Sequence, residues 1–149
     1  MAGYWSTYWY NGKIYGTEIL RGLDVLELEE SDYLTENEIA AAVIADQGDI
    51  FNPQQQFRVT WPAEPVVARA YIDQLRRGGV LSDSLDVSLN LALDRADSRL
   101  QNNMTHADLA DELVMLATAV SEGDQVMQNR RVALAEILSD VADRLAEVR

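Results

Sequence analysis

Glu18, Arg21 and Asp24 are the charged residues whose spacing comes nearest to a working site. Two carboxylates beside a guanidinium can do acid–base work only if their pKa values are pushed apart. The same three residues also make a charge-assisted network that fixes a turn, with Arg21 as the fork donor. The turn-fixing reading is the simpler one. Just upstream, Tyr4, Trp5, Tyr8, Trp9 and Tyr10 offer ring faces in quantity. Such rings stack on a sugar or a peptide, or pack across strands and against another chain. His106 is the only histidine, and no metal-ligand spacing surrounds it, so it is expected to serve a helix start near Thr105. Glu27, Glu29, Glu30 and Asp32 form an acidic run without the glycine-centred spacing of a calcium loop, which reads as a solvated face. Ser6 and Thr7 lie in no Gly-x-Ser-x-Gly elbow, and the eight glycines form no phosphate loop. No catalytic constellation and no cofactor or metal pattern is found, so the expectation is a non-enzymatic chain.

These residues must be held by elements of two kinds. The β-branched and aromatic run Ser6–Tyr10 suits a strand. Asn11-Gly12 follows, and both residues tolerate the positive φ of a type I′ hairpin turn. Lys13–Ile19 is the return strand, Arg21-Gly22 a second turn and Leu23–Leu28 a third strand, giving a three-stranded antiparallel meander. Leu23 and Val25 fall on one face of that third strand, Leu26 and Leu28 on the other, so both faces require cover. Thr35 and Glu38 form a capping box for a short helix with a stripe at Ile39, Ala40, Val43 and Ile44, ended by Gly48. Gly48–Pro65 reads as a long extended connector, expected to pack through Phe51, Phe57, Val59 and Trp61. Thereafter the apolar spacing is helical: Val67, Tyr71, Leu75 up to Gly78-Gly79; Leu85, Leu89, Leu93, Ala96, Leu100 after Ser82; Leu109, Leu113, Leu116, Val120 after a Thr105–Asp108 cap and up to Gly123; and Leu134, Leu138, Val141, Leu145, Val148. Short breaks between helices imply antiparallel neighbours. A coiled-coil partner for the last stripe is the other reading of its heptad-like spacing.

The expected fold is therefore mainly α with a small β part. A meander occupies residues 1–30, a short helix and connector 31–60, and a bundle of about four helices 61–149. The chain of 149 residues is 48% apolar and 25% charged, ordinary values for a folded domain. Twelve basic against 25 acidic residues leave a net charge of −13, which repels phosphate backbones and anionic membranes, so neither is expected as a partner. Eleven of the twelve basic residues are arginine, with no clustering in sequence that marks an Arg-specific site. Cysteine is absent, which removes disulfides and thiol chemistry. The longest apolar run, Ile39–Ala45, is far short of a membrane span.

The string Trp5-Ser6-Thr7-Tyr8-Trp9-Tyr10-Asn11-Gly12-Lys13-Ile14-Tyr15-Gly16-Thr17-Glu18, followed by Leu20-Arg21-Gly22-Leu23-Asp24-Val25, resembles the last blade of bacterial LVIVD-repeat β-propeller proteins. Their blades carry an Ala-Arg-Gly-Leu-Asp-Val type segment, from which this chain departs at Leu20. The stretch from Phe51-Asn52-Pro53-Gln54 to Trp61-Pro62-Ala63 resembles the tail that follows the propeller in some members. The resemblance implies a terminal blade plus an appended helical domain, because a propeller needs about 4–8 blades and one is present here. It implies a structural or interaction role through the aromatic meander, with a protein partner that includes a second copy of the chain. The alternative it implies is the rim of a ligand-binding or enzymatic propeller, with Glu18, Arg21 and Asp24 at the site. The family is usually exported, implying an extracellular or cell-surface parent. The N-terminus here has no basic n-region or apolar h-region, so no secretory signal is expected on this chain itself.

Overall fold

A computed structural model describes residues 3–46, 59–123 and 125–147. The chain divides into two compact units, Met1–Pro62 and Ala63–Arg149. Among the described residues helix dominates, at 57% against 17% strand, so the chain is mainly α with a small β part.

In the first unit, β1 (Tyr4–Tyr10), β2 (Lys13–Glu18) and β3 (Gly22–Leu26) form an antiparallel sheet in the order β1-β2-β3. Asn11 at φ 49° and Gly12 at φ 75° make the two-residue turn that the Asn-Gly pair predicts. Tyr10 accordingly pairs with Lys13, and the register runs back through Trp9–Ile14, Tyr8–Tyr15, Thr7–Gly16 and Ser6–Thr17. Tyr4 pairs with Glu18, so Trp5 is an extra residue, a bulge in the edge strand. The second turn differs from expectation. It occupies Ile19–Arg21, and Gly22 at φ 90° is already the first residue of β3, opposite Glu18. β2 stops at Glu18 because its carboxylate folds back onto the next main-chain N–H groups. β3 ends at Leu26, leaving Leu28 beyond the strand.

α1 (Glu36–Ile44) begins on the expected capping box: Thr35 Oγ1 accepts from Glu38 N at 3.3 Å, and Glu38 Oε2 accepts from Thr35 N at 2.9 Å. The expected stripe needs correction. Ala41 is the buried residue, Ile39 is half-buried, and Ala40, Val43 and Ile44 are exposed. The helix is apolar nearly all round, so periodicity did not select a face. Position does: Val43 sits against the hairpin turn, 3.4 Å from where a Cβ on Gly12 would lie. The helix ends at Ile44 with extended Ala45, and Gly48 lies outside the described residues. Asp46 and Thr60 then pair by two main-chain hydrogen bonds of 2.9 and 3.2 Å. The ends of the intervening segment therefore meet. Phe51 and Phe57 lie outside the described residues, and Val59 and Trp61 are exposed rather than packed, which corrects the expectation for these two.

In the second unit, α2 (Pro65–Arg77), α3 (Asp83–Gln101), α4 (Ala107–Ser121) and α5 (Gln128–Ala146) form a bundle. Pro65 opens α2 and Gly78 caps it. Ser82 Oγ accepts from Leu85 N to start α3. α4 starts one residue later than its Thr105 cap predicts: His106 is the cap, its Nδ1 accepting from Leu109 N at 3.1 Å. The stripes do build the core. Val67, Leu75, Leu89, Leu93, Ala96, Leu109, Leu113, Val120, Leu134, Leu138, Val141 and Leu145 are buried. Tyr71, Leu85, Leu100 and Leu116 are only half-buried, and Val148 lies outside the described residues. The α5 stripe is covered within the bundle by α4 and α2, so it has no free seam for a coiled-coil partner.

Arginine does more than composition suggested. On α2, Arg69 reaches Asn90 Oδ1 and the carboxylates of Asp94 and Asp97 on α3, the last two at 2.9 Å. One heptad on, Arg76 grips Asp86 with Nε and Nη2 at 2.7 and 2.8 Å and holds Asp73 at 2.9 Å. Arg95 joins α3 to Glu112 on α4, and Arg144 joins α5 to Glu64 at the start of α2. Arg131 is buried, and among the described residues its hydrogen-bond partners are the carbonyls of Val80, Val120 and Val126. A Cβ on Gly123 would collide with that guanidinium, which is why the break after α4 is glycine.

Two changes test these contacts. Arg131→Met keeps the stem and removes the donors that serve the Val80, Val120 and Val126 carbonyls; urea unfolding followed by circular dichroism should lose about 1–3 kcal/mol. Asp86 is held below the ordinary carboxylate range by its hydrogen bond from Arg76, against a smaller opposing effect of partial burial. A depressed folded pKa stabilises above the unfolded value of about 3.9 and stops doing so as pH falls through the folded one. Asp86→Asn should thus lower Tm at neutral pH, by roughly 1 kcal/mol of stability at most for a half-exposed pair. The gap from the parent chain should close as pH falls through the carboxylate range.

Candidate functional site

The sheet brings the first group of sequence candidates together. Glu18 is 5% exposed, and its Oε2 accepts from Leu20 N at 2.9 Å and Arg21 N at 2.7 Å. Arg21 Nη2 donates to Asp24 Oδ2 at 3.0 Å, and Arg21 Nε stands 3.7 Å from Glu18. Tyr4 completes the cluster, donating its hydroxyl to the same Asp24 oxygen at 2.8 Å. That bond holds the Tyr4 phenol above its ordinary pKa, with burial and the Asp24 charge adding to the effect. The Tyr4 ring lies over Gly16, where a Cβ would come within 2.7 Å of it. An aromatic side chain thus covers a glycine in the neighbouring strand, and the bulge at Trp5 sets its approach. Glu18 Oε2 is taken by main-chain donors, and Asp24 Oδ2 by Tyr4 and Arg21. Chemically, this arrangement closes a turn.

The strand aromatics divide between two faces. Pairing places Tyr8, Tyr15 and Val25 in one row, flanked by Ser6, Thr17 and Leu23 on the same face. Trp9, Ile14 and Leu26 form a row on the opposite face, shared with Gly16 and Asp24. Ser6 and Thr17 join by a hydroxyl pair of 2.9 Å, so this polar row of the first face satisfies itself. At the other end Lys13 pairs with Glu27, which holds the Glu27 carboxyl below its ordinary range. The remaining acidic residues of that run, Glu29, Glu30 and Asp32, are exposed. Trp9, Tyr10, Asn11 and Gly12 face Ala42, Val43 and Asp46 across a cleft of about 210 Å³.

Ligand stacking and packing make different demands on these rings, and exposure separates them. Leu23 is 58%, Val25 53% and Leu26 42% exposed, alongside exposed Tyr4, Trp5, Tyr8 and Tyr10. Aliphatic side chains on both faces are thus as open as the rings. Ala41 is the one buried apolar residue that the described part of this unit contributes. Sequence spacing pointed to rings, whereas the structure adds aliphatic β3 and the turn residues Ile19 and Leu20, both largely exposed. The signal was present in the two-faced pattern of the third strand. His106 caps α4, and its main-chain N–H donates to Leu145 O at 2.9 Å. Among the described residues, no group of three or more His, Asp and Glu side chains is placed to hold a metal ion, and no helix is long and apolar enough to cross a membrane. Comparison with protein-family models, curated proteins and solved structures finds no match to the chain.

All three tryptophans lie at or before residue 61, whereas helical circular dichroism comes chiefly from α2–α5. Heating should therefore give two transitions, with tryptophan fluorescence changing at a lower temperature than ellipticity, because a small sheet with so little buried apolar surface is marginal. Glu18→Ala leaves two main-chain donors of the turn unpaired and should shift only the fluorescence transition, by about 1–2 kcal/mol. Coincident transitions would show instead that the chain melts as one cooperative body.

Proposed function

We propose that the chain is a non-catalytic interaction module, the C-terminal part of an LVIVD-repeat propeller-type surface protein. In this reading β1–β3 are a terminal blade, and the helical bundle is the domain appended to it. One observation carries the reading: β3 leaves apolar side chains exposed on both faces, Leu23 and Val25 on one side and Leu26, next to Asp24, on the other. A sheet of that kind is completed by layers on both sides. Adjacent blades supply such layers in a propeller, and a partner protein or second copy supplies them otherwise. The resemblance of Trp5–Val25 to a terminal blade supports the same reading.

The rim reading, with Glu18, Arg21 and Asp24 contacting a ligand, has less support. One oxygen of each carboxylate is already engaged, Glu18 Oε2 by Leu20 N and Arg21 N and Asp24 Oδ2 by Tyr4 and Arg21. The net charge of −13 favours a protein over a nucleic acid as partner.

Sedimentation velocity across a dilution series tests the proposal on the chain alone. The expected result is concentration-dependent association through the uncovered sheet. Leu23→Lys and Val25→Lys place charges in the middle of one face and should return the monomer without changing helical ellipticity. A monomer at every concentration, with residues 4–26 resistant to limited proteolysis, would overturn the reading.

A further inference from the structure

The bundle has a second uncovered surface, remote in sequence from the sheet. Between α4 and α5 runs a groove of about 390 Å³. Its walls are small or β-branched: Val114, Ala117 and Thr118 from α4, with Val132, Ala135 and Ser139 from α5. Val114 and Val132 are exposed there, and Met115 extends the apolar surface beyond the groove. We infer that this groove docks an amphipathic helix of another protein, one that carries basic residues beside an apolar ridge.

Three observations select that occupant. The hydroxyls in the groove are already engaged: Thr118 donates to Val114 O at 3.1 Å, Ser121 to Thr118 O at 2.8 Å and Ser139 to Ala135 O at 2.9 Å. Covering them with an apolar ridge strands no donor, so the surface behaves as apolar despite its hydroxyls. The walls are helices whose main-chain groups bond within themselves. An extended peptide buried there would find no main-chain partners, whereas a helix brings its own bonds satisfied. Small side chains along two neighbouring helices also leave a furrow that receives the ridge of a third.

Charge decides what flanks the ridge. Glu136 and Asp140, one turn apart on α5, border the groove, and no basic residue lines it. A second copy of the chain would bring its own excess of 13 negative charges to this acidic rim. A basic helix gains where a second copy is repelled.

The test uses the full chain and a synthetic helix with an Ala/Leu ridge flanked by arginines. Two controls accompany it: the same composition in scrambled order, and the same ridge with glutamates for the arginines. Binding is read by fluorescence anisotropy at physiological salt, and its place by amide chemical-shift changes. The ordered basic helix should bind, with shifts confined to residues 114–121 and 132–140. The scrambled control should bind at least about tenfold more weakly, since non-specific attraction to an acidic surface does not need the ridge. Thr118→Arg, at an exposed position, should abolish binding, and Glu136→Gln with Asp140→Asn should weaken it by about tenfold. Equal binding of the scrambled peptide, shifts elsewhere, preference for the glutamate helix, or no binding at all would each overturn the inference. The shift map decides the matter even if a variant fails to fold.

Discussion

Burial is divided unequally along this chain, and the rest of the structure follows from that. The four helices α2–α5 hold every buried aliphatic side chain of the described residues except Ala41. Among the described residues, a sheet and a short helix are left with hydrogen bonds but almost no apolar interior. Main-chain pairing contributes little net stability in water, because the unfolded strands bond equally well to solvent. The sheet must therefore be held by local devices. These are a two-residue turn with both residues in the left-handed region, a tyrosine laid over a glycine, and a carboxylate that closes the second turn. Each fixes geometry within a few residues, and none removes apolar surface from water on the scale that a core does.

The charges of the sheet sit where they leave its middle free. Arg21 with Asp24 occupies one end and Lys13 with Glu27 the other. Between them the rows Tyr8–Tyr15–Val25 and Trp9–Ile14–Leu26 carry no charge at all. Paired ends fix register and orientation, and an uncharged middle can be desolvated cheaply. That division matches the anatomy of protein interfaces, with an apolar centre and a polar rim. The β1 edge carries a bulge at Trp5, a feature that discourages indiscriminate strand addition.

The helices and the hairpin were legible in the sequence because each rests on a local rule. Asn11-Gly12 permits one turn type, Thr35 with Glu38 caps one helix, and leucines at alternating spacings of three and four define one stripe. Where local rules compete, the reading slipped. In α1 three alanines and three branched residues give no preferred face, so Ala41 was buried by its position. At the start of α4, Thr105 and His106 are both able to cap, and the histidine does so. The second turn fell earlier than Arg21-Gly22 because Glu18, a strand residue by propensity, accepts hydrogen bonds from the turn that follows it. Composition alone hid the arginines, since contacts such as Arg69 with Asp94 or Arg76 with Asp86 join residues on different helices.

Those arginine contacts also explain how so acidic a chain keeps a compact bundle. Arg69, Arg76, Arg95 and Arg144 each meet a carboxylate on another helix or at its start, and Arg131 serves carbonyls in the interior. Basic charge is thus turned to internal seams, and the surplus of carboxylates is left to the outside. Half-exposed pairs of this kind add little stability singly. Their effect lies in choosing which helix faces meet, because a mismatched pairing would set carboxylates against each other. The same sorting leaves surfaces such as the α4–α5 groove without basic residues. Internal pairing of arginine and an acidic exterior are therefore two results of one distribution of charge. The proposed partners follow from it: apolar layers for the sheet, whose ends are already neutralised, and a basic helix for a groove bordered by carboxylates.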